Sequence, residues 1–188
     1  MKKLLKEKVG FRGRVTLTNY LIESEEAHNL QNYIDSLGEI SQAHFEQLEQ
    51  KLCSLCTIKE TVFNNAVVMS GRSVFTRLMV ADTTYTGEIN WGAVGTSATA
   101  VADTQTTLVA EVKRKGIATR VRTDDSVTLR FFFTKADVTG TFEEFACFID
   151  GTSTVDTGQM YNRALTGGWI KSALEAMTVT VTLDLNAA

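Results

Sequence analysis

Val127-Thr128-Leu129-Arg130-Phe131-Phe132-Phe133 sets Val127, Leu129, Phe131 and Phe133 on one side of an extended chain and Thr128 and Arg130 on the other. A period of two is the mark of a half-buried strand. Upstream, Gly87 to Thr96 puts Ile89, Trp91 and Ala93 on one face, and after a Thr/Ala-rich loop from Ser97 to Gln105 the chain resumes as Leu108 to Lys115 and Ile117 to Val121. Thr123-Asp124-Asp125-Ser126 predicts a turn. Downstream come a strand over Thr141 to Ile149, an exposed loop over Asp150 to Gly158, and a strand over Met160 to Lys171 interrupted at Thr166-Gly167-Gly168. The last run is the clearest: Met177, Val179, Val181, Leu183 and Leu185 alternate with Thr178, Thr180, Thr182 and Asp184.

The first half reads differently. Residues 1–12 are basic and unpatterned apart from Val9 and Phe11, which predicts an arm that orders only against something else. Gly13 to Glu23 alternates as a strand. Ser24-Glu25-Glu26 offers a helix start, Leu30, Ile34 and Leu37 follow at helical spacing, and Gly38 stops the run. A second helix over Glu39 to about Leu55 carries an apolar stripe of Ile40, Phe45, Leu48, Leu52 and Leu55. Thr57 to Met69 is a strand with a turn expected at Asn64-Asn65, and Ser70 is expected to cap a short helix that turns Val74, Phe75, Leu78 and Met79 inward. The pattern predicts a mainly β (α+β) chain. Residues 87–188 form an antiparallel β-sandwich or jelly-roll-like domain, and the strand and helices of 13–86 pack on that sheet or on a neighbouring subunit.

Composition narrows the function. At 188 residues with 44% hydrophobic and 22% charged residues the chain has the make-up of a folded globular protein, and its net charge of −3 argues against a protein that holds bare nucleic acid. No apolar run approaches the roughly 20 residues of a membrane span, and the lysines and glutamate of Lys6-Glu7-Lys8 interrupt any signal-peptide core. The chain is therefore expected to be made in a cytoplasm. Cys53-Ser54-Leu55-Cys56 has the spacing of half a zinc site, with His44 upstream, but no second Cys/His pair completes it; no metal or cofactor is expected. Neither a nucleophile elbow nor a phosphate-binding glycine loop appears, and the adjacent Glu143 and Glu144 of a strand face opposite ways, so no enzyme is predicted.

Gly92-Ala93-Val94-Gly95-Thr96, then Asp103-Thr104-Gln105-Thr106-Thr107-Leu108, then Glu111-Val112-Lys113-Arg114, then Thr139-Gly140-Thr141-Phe142-Glu143-Glu144 and the final Thr178 to Leu183 resemble a module of tailed-phage virion proteins. The resemblance runs through most of the chain after about residue 60. This chain departs from it in lacking proline after the Gly-Thr turn. It implies a structural component of the virion (tail, collar, baseplate or head accessory) that self-associates as a homo-oligomer and docks on other virion proteins. In that setting Phe132, on the opposite strand face from its aromatic neighbours, is assigned with Arg130 to a subunit contact, its cover being either the N-terminal helices or another copy. Lys113, Arg114 and Lys115 are assigned to edge protection or an intersubunit ion pair. The alternative class is a carbohydrate-binding module, with Trp169, expected to be exposed, and Trp91 as stacking platforms beside the loops Ser97 to Gln105 and Asp150 to Gly158.

Overall fold

A computed structural model of the chain describes the backbone of residues 9–187 and the side chains of residues 13–184. In chain order the elements are β1 (Val9–Leu21), α1 (Glu25–Ser36), α2 (Gln42–Leu55), β2 (Thr57–Val67), α3 (Met69–Met79), β3 (Ile89–Gly95), β4 (Glu111–Gly116), β5 (Thr119–Arg122), β6 (Ser126–Phe133), β7 (Gly140–Ile149), β8 (Gln159–Lys171) and β9 (Glu175–Ala187). The strands make one antiparallel sheet in the order β4-β3-β7-β8-β2-β1-β9-β6-β5. The fold is mainly β with its helices in the first 80 residues. Among the described residues no helix is long and apolar enough to cross a membrane.

Two features curl the sheet until its halves face each other. Strands β2 and β8 share only the pairs Asn65↔Ala164, Ala66↔Arg163 and Val67↔Asn162 before they part. At the opposite side, consecutive residues bond to different strands: the Ile117 N–H donates to the Asn90 carbonyl of β3 (3.0 Å) and the Ala118 N–H to the Arg130 carbonyl of β6 (2.8 Å). The bend between β4 and β5 thus links the two ends of the sheet. Between the halves, Leu17, Phe131, Met177 and Val179 meet Phe145, Cys147, Ile149 and Trp169. The Phe131 and Phe145 rings lie 5.9 Å apart. Gly92 must lack a side chain here, because a Cβ would sit 2.7 Å from the Phe131 ring. Burial of each such aromatic contributes on the order of 1.5–3 kcal/mol.

Helices α1 and α2 cover the outer face of the β1-β9-β6 half, while α3 packs on β8. Ser24 caps α1 by accepting from the Ala27 N–H (3.1 Å), and Ser41 caps α2 by accepting from the His44 N–H (3.4 Å). Leu30, Ile34, Phe45 and Leu52 then close over Tyr20, Ile22, Ala176 and Phe132. The cover over Phe132 is therefore the N-terminal helices of the same chain. At 3% exposure it is not a surface residue, and its assignment to a subunit contact is corrected.

Other expectations give way to tertiary contacts. Strand β1 starts at Val9, inside the segment read as an arm; its backbone pairs with β9 from Val9↔Ala187 onward, and residues 1–8 lie outside the described residues. β1 and β2 are central strands of the sheet, which crosses the boundary expected near residue 87. No turn interrupts β2 at Asn64-Asn65. Those residues pair with Arg14 and Gly13, and Asn65 Oδ1 accepts from Asn162 Nδ2 (2.7 Å) where β2 meets β8. Val68, not Ser70, is the N-cap of α3; the Ser70 hydroxyl instead donates to the Met160 carbonyl (2.7 Å). Of the α3 residues expected to face inward only Val74 is buried, while Phe75, Leu78 and Met79 are exposed. Strand β8 continues through Thr166-Gly167-Gly168, because both glycines take left-handed φ values (58° and 77°) and the Thr166 hydroxyl donates to the Phe142 carbonyl (2.7 Å) across the bulge.

Candidate functional site

The outer face of the β4-β3-β7-β8 half is roofed by loops rather than helices. Ala93, Ala146, Phe148 and Met160 form its apolar floor with Val68 and Leu108. Glu144 and Arg163 stand in this floor, both with fully buried side chains, and Arg163 Nε donates to Glu144 Oε2 at 2.8 Å. Each also grips the loop over residues 96–110. The Glu144 carboxylate accepts from the N–H groups of Val109 (3.2 Å) and Ala110 (2.8 Å), while Arg163 Nη1 donates to the Thr99 carbonyl (2.9 Å) and Gln105 Oε1 (3.1 Å). The N-terminus of α3 holds the loop from the side through the Met69 N–H to the Asp103 carbonyl (2.9 Å) and Arg72 to the Asp103 carboxylate (2.6 Å). That carboxylate is held below its usual pKa, first by its hydrogen bond from Arg72.

A second buried pair fixes the loop over residues 150–158. Strand β4 is bulged, with Lys113 opposite Val94 but Glu111 opposite Gly95, and the extra residue re-aims Glu111 to the face that carries Arg114. Arg114 Nε and Nη2 then clasp Glu111 at 2.6 and 2.7 Å. Its Nη1 donates to the carbonyls of Thr152 and Thr157 (both 3.0 Å), and the guanidinium lies 4.7 Å from the Phe148 ring centroid. A planar cation with five donors suits this site, where a lysine would leave several acceptors unmet.

The residues expected at an interface or a glycan site are thus placed as follows. Arg114 is buried. Lys113 and Lys115 do lie on an edge strand, but both reach Asp137 (3.2 and 2.9 Å) and Lys115 also reaches Asp35 (2.5 Å) within the chain. Burial opposes the Lys115 ammonium, yet those two carboxylates outweigh it and raise its pKa. Arg130 is largely covered, 5.8 Å from the Phe45 ring centroid and 3.5 Å from Glu46. Trp169, expected to be exposed, is 4% exposed; its Nε1 donates to Asn19 Oδ1 (2.9 Å) and Lys59 lies 4.3 Å from its ring centroid, so it offers no open stacking face. Trp91 is half-buried, its ring beside Gly151 of the second loop. Cys53 and Cys56 are half-buried free thiols whose pKa values are pushed up, first by burial. Among the described residues no group of three His, Cys, Asp or Glu side chains could hold a metal ion.

A cavity of about 430 Å³ opens at the end of the curled sheet where β3 begins and the β5–β6 hairpin turns. Ile89, Val127, Leu129, Tyr161 and Leu183 form its apolar wall, and Glu88, Arg120, Arg122, Asp124 and Asp125 its rim. Arg120 is bridged to Glu39 (2.6 Å) and Glu88 (2.7 Å). Phe75 of α3 is part of the wall, and beyond it Leu78, Met79 and Val80 continue the apolar surface outward. Sequence patterning misses this place, because its residues come from six separate elements. It equally misses the Glu144–Arg163 pair, whose partners sit 19 residues apart in neighbouring strands with no local pattern to join them. No family model matches the chain, and no curated protein or solved structure matches it either.

Proposed function

We propose that this chain is a non-catalytic structural subunit of a tailed-phage particle, working by self-association and by docking on other particle proteins. The observation that carries the reading is the work done by the residues of the resemblance. Asp103 ties the first loop to α3, Leu108 fills the floor beneath it, Glu111 and Arg114 clasp the second loop, and Glu144 holds the first from below. Gly95 is bare because a Cβ would lie 2.5 Å from Glu144 Oε1 and 2.6 Å from the Ala110 carbonyl. The motif is a device for fixing two long loops on a sheet. Fixed loops lose little conformational entropy when a partner covers them, which suits adhesion between subunits.

Light scattering and negative-stain microscopy of the purified chain test the reading. Discrete symmetric multimers are expected. A chain that stays monomeric at every concentration reached, or one that turns over a small molecule, would overturn it.

A further inference from the structure

We infer that two copies of this chain meet at the open end of the curled sheet, each inserting the tip of α3 into the cavity of the other. The inference rests on the self-association proposed above and names the surface that performs it. The tip is apolar and strongly exposed: Met79 is 84% and Val80 76% accessible. It is also firmly held. Ala81 turns the chain through a left-handed φ of 58°, the Asp82 N–H returns to the Arg77 carbonyl (2.9 Å), and the Arg77 guanidinium bridges the Asp82 carboxylate (2.7 Å). A fixed apolar projection is what a complementary hollow can recognise, since little order has to be imposed on binding.

The hollow lies beside the projection. Phe75 belongs to α3 and to the cavity wall, and Gly87 of the same wall lies against Leu78, where a Cβ would approach Leu78 Cδ1 to 2.8 Å. Knob and hole side by side on one surface are the requirement for a closed twofold contact, in which each copy gives and receives the same element. Charge on the rim points the same way. Arg120 and Glu88 are paired within the chain, whereas Arg122, Asp124 and Asp125 are exposed and, among the described residues, make no ion pair. Unspent charges of both signs on one hairpin are complementary to a twofold copy of themselves, which sets Arg122 of one subunit against the acidic pair of the other. The cavity size, about 430 Å³, would also suit a small apolar ligand, and that is the competing occupant.

Sedimentation equilibrium of the wild-type chain, Met79→Glu and Arg122→Asp decides the matter, with thermal melts to verify folding. Met79→Glu alters a solvent-facing side chain, so it is expected to melt like the wild type while self-associating roughly a thousandfold more weakly, because the twofold contact loses one buried anchor from each subunit. Arg122→Asp is expected to weaken association, and adding Asp124→Arg and Asp125→Arg to it is expected to restore association. If the wild type associates and neither single variant changes it, this surface is wrong while self-association stands. If the wild type never associates, both fall. An apolar fluorescent dye that binds one per subunit equally well in monomer and multimer would identify the cavity as a small-molecule site and overturn the inference.

Discussion

Replacing Arg163 by Met removes the cation from a floor in which both it and Glu144 are fully buried. The Glu144 carboxylate would keep the Val109 and Ala110 N–H groups (3.2 and 2.8 Å) but lose its counter-charge, and Thr99 and Gln105 would lose their donor. Stranding one member of a buried pair costs about 3–5 kcal/mol, against about 0–1 kcal/mol for a pair in water. Arg163→Met is therefore expected to lower the unfolding free energy by about 3–5 kcal/mol, a large share of the stability of a domain. Urea titration followed by tryptophan fluorescence measures the loss from the midpoint, provided the slope is unchanged. Glu144→Gln in the same chain leaves no stranded charge, so the double variant should lose less than the sum of the two singles by at least about 2 kcal/mol. Faster hydrogen exchange at Val109 and Ala110 than in the wild type is the local counterpart. A loss below about 1 kcal/mol for Arg163→Met, with additive singles, would refute the reasoning, since the pair would then behave as if solvated.

Phe132→Ser is expected to cost about 3–5 kcal/mol in the same titration, because the ring packs under α1 and α2; normal stability together with a lost oligomer would restore the subunit-contact assignment. Gly92→Ala should cost about 1–3 kcal/mol through its clash with Phe131, and an unchanged midpoint would show that the two halves of the sheet do not press together there. Burial pushes the Lys171 ammonium, which donates to the Val138 carbonyl, down to about 8. Below that pH both folded and unfolded chains hold the proton; above it only the unfolded chain does, so stability rises with pH until the ordinary lysine range is reached. Wild type measured against Lys171→Met should gain up to about 3 kcal/mol between pH 7 and 10, and a difference that stays flat would be evidence against a desolvated ammonium.

What the sequence displays plainly is whatever rests on local periodicity. Val127 to Phe133 and Met177 to Leu183 alternate because one side of each strand faces the apolar core between the halves of the sheet, and they appear where the alternation places them, although Phe132 and Ala176 on the other side are buried too, under α1 and α2. Ser24 and Gly38 bound α1 because capping is a property of neighbours in the chain. Misreadings arise where a distant partner overrides a local preference. Asn64 and Asn65 favour turns, yet Asn162 and the bare backbone of Gly13 accommodate Asn65 in a strand. Phe75 and Leu78 have the spacing of a buried stripe, but α3 settles on Gly71 and Val74 instead. Arg114 reads as a surface cation within Lys113-Arg114-Lys115, and only the strand bulge that turns Glu111 toward it makes it an interior residue.

The pairing of β1 with β9 also bears on synthesis. Because β1 lies in register with β9 from Val9↔Ala187 to Leu21↔Glu175, one flank of a central strand has no partner until β9 has left the ribosome. Until then the nascent polypeptide exposes a naked hydrogen-bonding border of the kind that recruits neighbours into aggregates. Covering that border during translation, by a chaperone or by spacing successive copies, is therefore expected to raise the yield of folded chain.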